Sequence, residues 1–136
     1  MKDDEIKKRL RIFDLPNGFK ILAGKSAADN DFLTFKVAEQ NDLWFHVRGA
    51  SGSHTVLKIS EGKKAPKNFI EAAASIAAFY SKAKNSAKIN VAYTEVRNVS
   101  KYRGANTGSV VVKNEKLVKV SPSSPEEVLE HIFKNR

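Results

Sequence analysis

Asp42-Leu-Trp-Phe-His-Val-Arg48, Gly49-Ala-Ser-Gly52 and Ser53-His-Thr-Val-Leu-Lys-Ile59 follow one another in the chain, and their reading decides the fold. Apolar and polar residues alternate through both outer segments, while the centre is glycine and serine. That pattern predicts a β-hairpin with strands near 42–48 and 53–59. Registered about Ala50, the pair sets His46 opposite His54, Trp44 opposite Val56 and Asp42 opposite Lys58. Side chains two apart share a face of a strand. One face therefore carries Leu43, Phe45, Val47, Thr55, Leu57 and Ile59, which is a core face. The other carries Asp42, Trp44, His46, His54 and Lys58, including the only tryptophan and two of the three histidines. That second face is the candidate functional surface.

Outward from the hairpin, residues 9–13 and 19–23 read as two strands around the turn Pro16-Asn17-Gly18. Asn30 is placed to cap a short helix over 31–38. After the loop Glu61–Pro66, a helix is predicted over about 67–84, because Phe69, Ala73, Ile76, Ala77 and Tyr80 fall on one stripe. Ala72, Ala73, Ala74, Ala77 and Ala78 let that helix lie close on a sheet. Residues 89–93 read as a strand, 99–103 as a short extended piece, and 104–108 as a glycine-bounded loop. Val110–Val112 and Leu117–Val120 read as a second hairpin across Lys113–Lys116. Ser124-Pro125-Glu126-Glu127 is a capping box that opens a last helix. The order β-β-α-β-β-α-β-β-β-α predicts an α+β domain: a largely antiparallel mixed sheet with helices packed on one face.

The 136 residues suit a single domain, 1–136, with its own core. There is no cysteine, which excludes disulfides and thiolate metal sites. No apolar run has the length of a membrane span, and the charged start Met1-Lys-Asp-Asp-Glu-Ile6 is not a signal peptide. A cytoplasmic protein without membrane association is expected. The formal net charge is +9, with acids concentrated near the two ends, so the middle of the chain is strongly basic. Such a field favours polyanions, nucleic acid above all.

Several chemistries fit the hairpin. His46 and His54 could ligate a metal with Asp42, but zinc sites need three or more good ligands and no H-x-H or H-E-x-x-H spacing occurs. Ser51 or Ser53 with His54 could form a nucleophile pair, although adjacency in sequence does not activate a serine. The histidines could equally be half-buried residues bonding to backbone. In the nucleic-acid reading, Trp44 stacks on a base, the histidines donate to phosphate, and the Gly49–Gly52 turn admits close backbone approach. The loop Lys101-Tyr-Arg-Gly-Ala-Asn-Thr-Gly108 offers similar chemistry, two cations and an aromatic between glycines.

Gly24-Lys25, Asn30-Asp31 with Leu33-Thr34, Asp42-Leu-Trp-Phe-His46 and Gly52-Ser-His54 run in one order. Ser81-Lys-Ala-Lys84, Tyr93-Thr94, Val99 with Lys101, and Gly104-Ala105 with Gly108 follow. In these blocks the chain resembles the NFACT-R domain, the RNA-binding module of the NFACT proteins of ribosome-associated quality control. The resemblance covers about residues 18–120. Ser51 and Thr107 stand where the family usually has proline, and Ser26 where it commonly has asparagine; none of these removes a charged or aromatic group. Larger family members add a fibronectin-binding-protein-like domain, a helix-hairpin-helix segment and a coiled coil. None of these fits in this chain, so a free-standing NFACT-R protein is expected.

The resemblance implies a non-catalytic RNA-binding domain, with structured RNA such as tRNA or rRNA as ligand, the ribosome as a further partner, and no cofactor or metal. The expected RNA-binding residues are Lys25, Asp42, Trp44, His46, Ser53, His54, Lys58, Lys101 and Arg103. A small histidine-dependent hydrolase or nuclease, and a ribosome-associated protein adaptor, are the alternatives.

Overall fold

The computed structural model describes residues 3–134. Asp3–Arg9 form a helix (α1) that the apolar pattern does not announce; its acids lie in the first turn and its bases in the last, matching the helix dipole. Leu10–Asp14 (β1) and Lys20–Gly24 (β2) pair across a tight turn in which Asn17 and Gly18 take positive φ angles of 64° and 85°. The next helix, Ala27–Phe32 (α2), is capped by Ser26, whose Oγ accepts from the Asp29 N–H. Asn30, the expected cap, lies inside that helix, buried, and its Oδ1 accepts from the His54 N–H at 3.0 Å. The helix then widens into a π-type turn over Leu33–Val37.

Leu43–Val47 (β3) and Thr55–Lys58 (β4) form the hairpin, with Leu43 opposite Leu57, Trp44 opposite Val56 and Phe45 opposite Thr55. This is the register centred on Ala50. Lys67–Phe79 (α3), Ile89–Glu95 (β5), Val99–Ser100 (β6), Val111–Val112 (β7), Lys116–Val120 (β8) and Pro125–Lys134 (α4) complete the fold. Ser124 caps α4 as its sequence requires, its Oγ accepting from the Glu127 N–H. Six strands make one antiparallel sheet in the order β1-β2-β4-β3-β5-β8.

The period-two pattern divides each strand between two cores. Ile21, Phe45, Val47, Leu57 and Val91 face α3 and α4, where the small Ala73, Ala74, Ala77 and Ala78 let α3 sit against the sheet. Each fully buried large side chain there is worth about 1.5–3 kcal/mol. The two longer helices thus share one face, as expected. The opposite face is also covered. Leu22, Trp44 and Val56 pack against Phe32 and Leu33 of the α2 region and against Val96 and Val99. The face that carries Trp44 and the histidines is a second, smaller core over much of its area.

Two local expectations are corrected. The helix predicted over 67–84 ends at Phe79, because the carbonyl of Tyr80 accepts from Ser53 and Ser81 joins Gly52 in a β-bridge. The predicted hairpin over 110–120 does not form. β7 pairs with β6, and β8 pairs with β5, Val91 opposite Val118. Asn114, at φ 54°, turns the chain between the two partners.

Candidate nucleic-acid interface

The tip of the β3–β4 hairpin is fastened to the chain leaving α3. The Ser53 N–H donates to the Tyr80 carbonyl at 3.1 Å, and the Lys82 N–H to the Ser51 carbonyl at 2.9 Å. Gly52 permits this approach: a Cβ there would lie 2.8 Å from the Ser81 Cβ and 3.2 Å from the Tyr80 carbonyl. Gly24 meets a similar demand, since a Cβ would lie 2.2 Å from Asn30 Oδ1. Its carbonyl accepts from Ser53 Oγ at 2.8 Å and from the Arg11 guanidinium at 3.2 Å. Arg11 also lies over the Tyr80 ring, 4.2 Å from its centroid.

These close approaches bring four separate stretches of sequence to one surface groove of about 750 Å³. Its walls carry Arg11, Lys25, Lys82 and Lys84, together with Ser26, Ser51, Ser53 and Tyr80, and no acidic residue. Cations, hydroxyls and an aromatic without a competing carboxylate suit a phosphate backbone. Lys25 and Ser53 were expected at the interface. Arg11 carries no sequence signal of its own, and Lys82 and Lys84 stand in the sequence inside the block Ser81-Lys-Ala-Lys84.

A second cleft, of about 440 Å³, adjoins the first and is lined by Trp44, His46, Arg48, His54, Ala92 and Glu115 among others. Here the expected stacking platform is corrected: Trp44 is only 3% exposed, so its indole belongs to the second core rather than the surface. Its ring stacks on His46, centroids 6.0 Å apart at 17°, and meets His54 edge-on at 5.2 Å. His46 is half-buried and forms the next layer outward. His54 is buried, with Nδ1 3.0 Å from Thr34 Oγ1. Burial, then the neighbouring His46, pushes the His54 pKa down to about 4, against an opposing pull from Asp31. Burial also holds His46 below its usual range.

Other expected residues sit elsewhere. Asp42 is buried at the far end of the hairpin, where its carboxylate accepts from the Glu39 and Ile59 N–H groups at 2.8 and 2.9 Å. Lys58 pairs with that carboxylate at 3.0 Å and with Glu39 at 2.9 Å. The triad closes the sheet end, about 13 Å along the strand from His46. Lys101 is held by the Asp31 carboxylate at 3.2 Å and by the Asn106 and Ser109 carbonyls at 3.0 and 2.8 Å. It fastens the 101–109 loop to α2. Beside it Arg103 is exposed, and so is Tyr102, at 57%, the aromatic in this loop that is open to stacking. Among the described residues no group of three or more His, Asp or Glu side chains comes together as a metal site. Nor, among them, is any helix long and apolar enough to cross a membrane.

The family model described as NFACT protein RNA binding domain matches residues 9–114. This chain belongs to that family. The Rqc2 homolog RqcH of Bacillus subtilis (strain 168) is 38% identical over 115 residues, covering 85% of this chain and 20% of the relative. The Rqc2 homolog RqcH of Streptococcus suis (strain 05ZYH33) is 36% identical over 103 residues, covering 76% and 18%. A solved structure, the C-terminal part of the fibronectin/fibrinogen-binding protein from Streptococcus suis, superposes with a TM-score of 0.78 at 31% identity, over 91% of this chain and 48% of that one. The NFACT-R domain here thus spans about a fifth of the length of the curated relatives it matches. The groove draws on residues from 11 to 84, all inside the matched region.

Proposed function

We propose that this NFACT-R domain binds folded RNA, tRNA or rRNA, without catalysing a reaction on it, and that it acts in a translation or ribosome-associated setting in the cytoplasm. The observation that carries the reading is the acid-free groove lined by Arg11, Lys25, Lys82 and Lys84. Folded RNA is recognised largely through its phosphates and its shape, and a groove of cations and hydroxyls answers that chemistry. Lys25 and Ser53 act in the groove, and Arg103 with Tyr102 extends the contact along the 101–109 loop. Membership in an RNA-binding family, and likeness to RqcH proteins, support the biological setting. The non-catalytic reading is supported by His54, which is buried, with Nδ1 held by Thr34 Oγ1 and the ring also bonded to the Gly108 backbone.

The test is a titration of labelled tRNA against the domain at several salt concentrations. Log affinity should fall linearly with log salt, by roughly 0.7–0.9 per phosphate contacted. The double substitution Lys82→Glu/Lys84→Glu should abolish binding at physiological salt and leave the melting temperature unchanged. Affinity indifferent to salt, or unaffected by the double substitution, refutes the groove as the RNA site.

A further inference from the structure

The cleft beside the basic groove has its own construction. Its floor runs beside β3: Ala92 of β5 lies opposite His46 of β3, and His54, immediately before β4, lies on the other side of His46. Because Ala92 carries only a methyl group, the strand beside His46 leaves open volume where a larger residue would fill it. Gly108, Ser109, Val110 and Val112 line the cleft as well. Arg48 and Glu115 form an ion pair of 2.6 Å and also line the cleft, so a donor and an acceptor stand together there. Trp44, buried and with no hydrogen-bond partner for Nε1 among the described residues, backs His46 and makes part of the wall.

Cleft and groove have neighbouring walls. Gly108 lines the cleft and Ala27 lines the groove, and a Cβ on Gly108 would lie 3.1 Å from the Ala27 Cβ. The Gly52 backbone, in the groove wall, is also a neighbour of the His46 ring.

We propose that the cleft is a nucleobase pocket, in which one unpaired base of the bound RNA stacks on His46 with its polar edge toward Arg48 and Glu115. This rests on the reading of the groove as an RNA phosphate site. The volume, about 440 Å³, is within the range of small-ligand sites. The walls are mixed as a base requires, with flat aromatic surface on one side and paired donor and acceptor on another. Burial keeps both histidines uncharged near neutral pH, so His46 offers a π-face to the base without adding to phosphate attraction.

Trp44 is the sole tryptophan, so its emission reports on the cleft directly. The domain is titrated with a short single-stranded RNA of mixed sequence and, separately, with inorganic polyphosphate of matched charge. RNA should change Trp44 emission, whereas polyphosphate should bind and leave it unchanged. Ala92→Leu fills the cleft and His46→Ala removes the stacking surface. Each should weaken RNA binding about 5- to 150-fold, the range for one stacked base, and leave polyphosphate affinity as in the wild type. If Ala92→Leu does not fold, Ala92→Val and His46→Ala carry the same comparison. Folded variants that bind RNA as tightly as wild type, or equal emission changes with RNA and polyphosphate, overturn the pocket alone. Failure of both polyanions to bind overturns the groove reading as well.

Discussion

Replacing Trp44 by alanine separates a buried wall from a surface platform. The indole is 3% exposed and packs with Leu22, Leu33, Val56 and Val96 in the second core. Truncating such a side chain loses its transfer free energy and leaves a cavity, together about 3–5 kcal/mol. At roughly 2.1 cal/mol/K per residue, unfolding of 136 residues carries about 0.29 kcal/mol/K of entropy. The melting temperature should therefore fall by about 10–17 °C, a large share of the roughly 5–15 kcal/mol that holds a domain together. Tyr102→Ala is the control: that ring is 57% exposed, and its loss should change stability by no more than about 0.5 kcal/mol. Thermal and urea melts of both variants, with RNA isotherms taken well below the lower midpoint, make the comparison. If Trp44→Ala melts within about 3 °C of wild type and still loses RNA affinity, the indole is a surface stacking platform and the two-core description is wrong.

Acid should weaken the fold through the same cluster. The folded-state pKa of His54 is depressed to about 4, so between that value and the ordinary 6.5 the unfolded chain binds more protons. Stability is then complete above about pH 6.5 and is lost as pH falls toward 4, by about 2 kcal/mol between pH 8 and pH 5. His46, shifted in the same direction, adds to the loss. Urea midpoints that coincide at pH 8 and pH 5 would contradict the buried, neutral pair. A third perturbation, Gly52→Ala, places a Cβ 2.8 Å from the Ser81 Cβ and must push the hairpin tip away from α3. It should cost about 1–3 kcal/mol and weaken RNA binding, because Lys82 and Lys84 are positioned by that contact. Melting and affinity both at wild-type values would show that the tip and the α3 exit are not coupled.

The sequence alone carried whatever depends on neighbours along the chain. The β3–β4 register was legible because a slip of one residue would carry Phe45 and Leu57 out of the main core. The cap at Ser124 and the small-residue stripe of α3 were legible for the same local reason. The family could also be read, since its blocks are contiguous. Partners far apart in sequence were not legible. Val110–Val112 and Leu117–Val120 look like a hairpin by spacing, yet β8 is taken by β5 and β7 by β6, because completing a sheet edge and covering the second face bury more surface than a two-stranded ribbon. Alternation assigned Trp44 to the correct face but could not say that α2 and its π turn cover it. The groove is likewise a product of folding: Arg11, Lys25 and the pair Lys82 and Lys84 lie in separate stretches of sequence until Gly24 and Gly52 let the backbones meet. Local periodicity fixes which way a side chain points; only the packing of distant segments decides whether it meets solvent, a core or a phosphate.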